Sequence, residues 1–184
     1  MKENKDKKKA LLIALAKWAE AELFCIVTFI FYAVITPTLG KGGHILFAII
    51  CFMLVACLMA DYALKLGYAS TKGINAGTLD KCRNFGLLIG IAAALPTYIC
   101  YALLVLSANG VIGNFYPAFK IINSMFAPAV NIFASTADAK ELSAGQLTGI
   151  AAIPLYIPIV TWFAFRLGYD DTDLAQKFMY KSKK

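Results

Sequence analysis

The residues best suited to chemistry in this 184-residue chain are three carboxylates set in long apolar runs: Glu20, Glu22 and Asp61. A charged side chain inside a membrane is costly and is usually kept for a proton or ion path. Glu20 and Glu22 fall towards the start of the first apolar run, and Asp61 one turn from the end of the second. Antiparallel neighbours would bring all three to similar depth. Read for chemistry, they form a proton or cation site. Read for structure, each has a base in reach. Lys17 lies at i,i+3 from Glu20 and Lys65 at i,i+4 from Asp61, with Arg83 and Arg166 as further charge partners. The pairing reading is favoured, because none of the acids sits at the middle of its run.

Other chemistries find little support. His44, the only histidine, opens an apolar run and reads as a solvated cap residue. No His/Asp/Glu metal cluster, G-x-S-x-G or serine beside a base is present, so neither an enzyme nor a cofactor or metal site is expected. Gly40-Lys41-Gly42-Gly43 lacks the P-loop spacing. The five cysteines contain no C-x-x-C, and four lie in apolar runs, where small buried hydrophobes are expected. Pro96, Pro154 and Pro158 interrupt two apolar runs, and broken helices line cavities in many transporters; Tyr98, Tyr101 and Tyr156 are placed to line such a path.

The elements that must position these residues are membrane helices. Hydrophobic residues make up 60% of the chain and charged residues 16%, against about 25% charged in soluble domains. Lys65-Leu66-Gly67-Tyr68-Ala69-Ser70-Thr71 and Arg166-Leu167-Gly168-Tyr169-Asp170-Asp171-Thr172 repeat one pattern, each closing a long apolar run. A basic residue, a C-capping Gly and an interfacial Tyr suit a helix leaving a bilayer. The pattern predicts an all-α integral membrane protein with four transmembrane helices, arranged as two parallel-repeat hairpins. One membrane domain covers 1–184: a basic tail (1–9), a first hairpin (10–66), an inner loop (67–83), a second hairpin (84–166) and a C-terminal tail (167–184). Within the first helix, Ala10 to Ile35, Trp18 reads as an interfacial anchor. Thr78 and Asp80 read as an N-cap and first turn, Ser143 to Gln146 as a capping box, and Leu174 and Phe178 as one face of a short tail helix. The net charge of +7 concentrates in the tails and the middle loop. Both termini are therefore expected to be cytoplasmic, in a cell inner membrane whose anionic headgroups attract them. No basic face with base-reading residues suggests nucleic acid.

The second copy carries an outer insertion, 111–145. Phe115, Phe119, Ile122, Phe126, Val130 and Phe133 recur at helical spacing. This predicts an amphipathic helix in the outer interface or folded back over the bundle, a fifth span being disfavoured by the charge pattern. Phe115, Phe119, Phe126 and Phe133 then form an interaction face. The expected function is a non-catalytic accessory or scaffold subunit, with a membrane-protein partner or as a homo-oligomer. The alternative is a small oligomeric transporter or channel using the inner carboxylates and the kinked second hairpin.

Overall fold

Among the described residues, four helices are long and apolar enough to cross a membrane. The computed structural model describes residues 2–77 and 82–170, with side chains from Asp6 onward, and every element among them is helical. Thr78, Asp80, Leu174 and Phe178 lie outside the described residues. Helix α1 (Lys2–Leu39) and helix α2 (Lys41–Asn75) are joined by Gly40 alone, whose φ of 53° makes the reversal. Helix α3 (Phe85–Ala108) precedes two short helices, α4 (Tyr116–Ile122) and α5 (Ala127–Phe133). Helices α6 (Ala144–Ala152) and α7 (Tyr156–Tyr169) make one 26-residue apolar run, broken by a 3-10 turn at Ile153–Leu155. Pro154 lies within that turn and Pro158 in the first turn of α7, where a missing N–H is tolerated. The capping box opens α6: Gln146 N–H donates to Ser143 Oγ, and Ser143 N–H to Gln146 Oε1 at 2.9 Å.

Two expectations about helix ends are corrected. The Lys-rich N-terminal tail is helical and continuous with α1, because Lys and Glu are good helix formers once a long helix is nucleated. Gly67 and Gly168 do not cap helices, since α2 continues to Asn75 and Gly168 lies inside α7. Among the described residues positive φ belongs to Gly40, Gly77 and Gly110. The two repeat glycines face each other instead. A Cβ on Gly67 would meet the Phe165 carbonyl and lie 2.8 Å from Tyr169 N; one on Gly168 would meet the Leu64 carbonyl and lie 3.1 Å from Tyr68 N. These partners occupy equivalent positions in the two copies, so the repeat packs on itself about a local two-fold. Missing side chains bring the two backbones into contact, and Thr71 Oγ1 donates to Tyr169 O at 2.6 Å across the crossing.

Helix α3 covers the same region of α7. A Cβ on Gly86 would meet Phe165 and Thr161, and one on Gly90 would meet Thr161 and Pro158, so these two glycines serve packing within the chain. The central core joins Cys25 of α1, Cys51 and Val55 of α2, Ala93 of α3 and Ile157 of α7. Outward faces are apolar, with Leu23, Ile30, Ile49, Leu95, Ile159 and Phe163 all more than half exposed. Lys65, Arg83 and Arg166 share one end, hereafter basal; Gly40 and residues 109–143 lie at the opposite, distal end.

Candidate functional site

The distal segment is not one helix. Pro128 cannot continue a helix from α4, because its ring would clash with the carbonyl four residues back and it has no N–H to donate. Pro117 and Pro128 each open a new helix in its first turn. Asn123 to Phe126 form the reversal, with Phe126 N–H donating to Asn123 O at 3.0 Å. Each seven-residue helix is about 10 Å long, too short to cross a bilayer. The segment instead folds inward: Tyr116, Phe119, Asn123, Ser124, Met125, Phe126 and Val130 are all buried.

That burial corrects the expected interaction face. Phe119 and Phe126 point into the protein, and the Phe126 ring lies 6.1 Å from Phe52 of α2. Phe115 is half-buried, and Phe133, 40% exposed, packs its ring edge on Gly149. The apolar face meets α1, α2 and α3 of its own chain.

The turn between α4 and α5 ends on Glu22. Trp18 Nε1 donates to Thr97 Oγ1 at 3.3 Å, and Thr97 is at the midpoint of α3. Trp18 is therefore no anchor at a helix end, and Glu22, about one turn or 6 Å further along α1, lies deep in the bundle. Its carboxylate oxygen Oε1 accepts the Ser124 N–H at 2.5 Å and the Ser124 hydroxyl at 2.6 Å. Both residues are buried, Glu22 at 6% exposure and Ser124 at 0%. Among the described residues, Glu22 Oε2 and Asn123 Oδ1 are two of only three buried side-chain polar atoms without a hydrogen-bond partner. Cys25 and Cys51 flank the carboxyl group from α1 and α2, and of the five cysteines these two alone are fully buried.

The three carboxylates are not one cluster. Glu20 pairs with Lys17 at 2.5 Å and Asp61 with Lys65 at 2.8 Å, all four partly exposed. Arg83 reaches neither; it holds Asp170 at 3.0 Å, while Arg166 stacks over the Trp162 ring at 4.8 Å. Glu22 has no ion pair among the described residues, so charge pairing does not account for it. The sequence carried a signal for its placement: Ala10, Ala14, Trp18, Ala21 and Cys25 recur at three and four, and this row is the inward face. Glu22 adjoins that row and Glu20 does not. Ser124, 102 positions away, left no such signal.

A second polar tie holds α5. Asn131 Nδ2 donates to the Tyr32 oxygen at 2.6 Å, and the Tyr32 hydroxyl also hydrogen-bonds His44 Nδ1 at 2.7 Å. His44 therefore belongs to a network and is not a simple solvated cap. Tyr98 donates to Ala151 O at 3.3 Å and Tyr156 to Phe52 O at 3.0 Å, tying helices together; Tyr101 packs on the distal core. Tyr116 donates to Ala134 O, and Lys120 lies 4.0 Å over the Tyr116 ring and donates to Thr136 O at 3.2 Å. Burial holds Lys120 below the usual lysine range and pushes the Tyr116 phenol up.

Comparison with protein families, curated proteins and solved structures finds no match to this chain.

Proposed function

We propose that this chain is a multi-pass membrane protein with its basal end in the cytoplasm, built as two hairpins that place α2 and α7 side by side. Its function is that of a small transporter or channel in which Glu22 takes up and releases a proton, coupled to movement of the α4–α5 segment. The observation that carries this reading is the Glu22 carboxyl group, buried deep between helices, held by Ser124 donors and without a counter-ion among the described residues. An ionisable group so placed is the usual mark of a proton or ion path. Short re-entrant helices and a broken span are the parts by which such proteins open and close. The accessory-subunit reading rested on an outward aromatic face, and two of its four phenylalanines are internal.

The test is proton flux into liposomes loaded with a pH-sensitive dye, driven by a potassium diffusion potential. Protein-containing vesicles should acidify faster than empty ones, and Glu22→Gln should return them to the empty-vesicle rate. Equal rates for wild type and Glu22→Gln would refute the role of Glu22. Wild type no faster than empty vesicles, with a stoichiometric foreign protein retained in mild detergent, would restore the accessory-subunit reading.

A further inference from the structure

At the basal end a cavity of about 540 Å³ opens between the first turns of α1 and the start of α3, lined by Lys7, Cys82, Arg83, Asn84, Phe85 and Leu88. Its size falls in the roughly 300–1,000 Å³ range of ligand sites. Two cations meet there from segments 76 positions apart in sequence (83 − 7). The walls change character along α3, with Arg83 and Asn84 at the mouth and Phe85 and Leu88 leading into the apolar helix. From Leu88 an exposed apolar row continues through Ile91, Leu95 and Ile99, at 49%, 52%, 53% and 56% exposure. The spacings of three and four keep these residues on one face for about 16 Å.

We infer that this cavity and the row beneath it bind one anionic glycerophospholipid, its phosphate between Lys7 and Arg83 and an acyl chain along Leu88, Ile91, Leu95 and Ile99. The inference rests on the reading of the protein as membrane-inserted. Charge complementarity selects the headgroup: basic pockets at the cytoplasmic boundary favour anionic lipid. The apolar row selects an amphiphile over a free phosphate, which would use the mouth of the cavity alone. Arg83 is also the residue that bridges α3 to Asp170 at the end of α7. A lipid phosphate at Arg83 therefore bears on the contact between α3, which precedes the re-entrant segment, and α7, which follows it.

The experiment is native mass spectrometry of the full-length protein in detergent, titrated separately with dioleoyl phosphatidylglycerol and dioleoyl phosphatidylcholine. One equivalent of phosphatidylglycerol should be held in preference to phosphatidylcholine. Each basic residue near an anionic headgroup is worth about fivefold in affinity, so Lys7→Gln/Arg83→Gln should weaken the anionic lipid roughly 25-fold. Asp170→Asn, which breaks the same ion pair but spares both cations, should bind as well as wild type or better and serves as the fold control. Equal retention of the two lipids, or a double variant that binds like wild type, would overturn the proposal. So would displacement of the lipid by millimolar inorganic phosphate, which would mark a simple anion site. Failure of the membrane reading is separately visible: alkaline carbonate would then extract the protein from membranes.

Discussion

Replacing Ser124 by Ala tests how the re-entrant segment is held. The hydroxyl donates to Glu22 Oε1 at 2.6 Å, with both residues buried, and a hydrogen bond to a charged group contributes about 2 kcal/mol. The Ser124 amide keeps its own bond to the same oxygen, so the loss is one bond and not the whole contact. About 2 kcal/mol corresponds to roughly 30-fold in the opening equilibrium of the segment. Hydrogen–deuterium exchange of peptides spanning 116–133, on protein in nanodiscs, should therefore accelerate roughly 30-fold, while α3 peptides between 89 and 104 stay at the wild-type rate and serve as the internal reference. Glu22→Gln should accelerate exchange less than Glu22→Ala, because the amide oxygen still accepts both Ser124 donors, though as neutral hydrogen bonds. Glu22→Ala should exceed the Ser124→Ala effect, because it leaves a buried N–H and O–H unpaired. Wild-type exchange of 116–133 in Ser124→Ala would refute the reasoning and leave apolar packing of Phe119, Phe126 and Val130, with the Asn131–Tyr32 bond, to hold the segment.

The α2–α7 crossing predicts that Gly67→Ala and Gly168→Ala each cost about 3 kcal/mol, because the new methyl meets backbone carbonyls that cannot move aside. Gly42→Ala, with nothing within 4 Å of the added Cβ, should lie within about 1 kcal/mol of wild type, as read from thermal unfolding in detergent. Lys120 predicts a pH dependence of defined sign. Its folded pKa lies below the ordinary 10.5, so the unfolded chain holds more protons in the interval below that value, and stability rises as pH climbs through it. Lys120→Met should flatten that rise in an unfolding series taken up to pH 9, below the value of about 10 at which the tyrosine phenols of the unfolded chain titrate.

The sequence by itself determined what rests on local pattern. Apolar runs of spanning length, the repeated Leu-Gly-Tyr and the Ser143–Gln146 capping box all appear as elements or contacts in the fold. So do the i,i+3 and i,i+4 ion pairs at Glu20 and Asp61, because helical spacing alone brings those partners together. The tertiary structure decided the rest. Gly67 and Gly168 look like helix caps until α7 is laid against α2, when the lack of a side chain becomes a contact requirement. Residues 111–133 have the periodicity of one helix, yet Pro128 breaks it and the bundle draws both halves inside. Glu22 resembles Glu20 in sequence and differs only in the face it occupies. Its partner comes from a turn 102 residues away, and only the packing of that turn against α1 turns an ordinary glutamate into a buried carboxyl group without a counter-ion among the described residues.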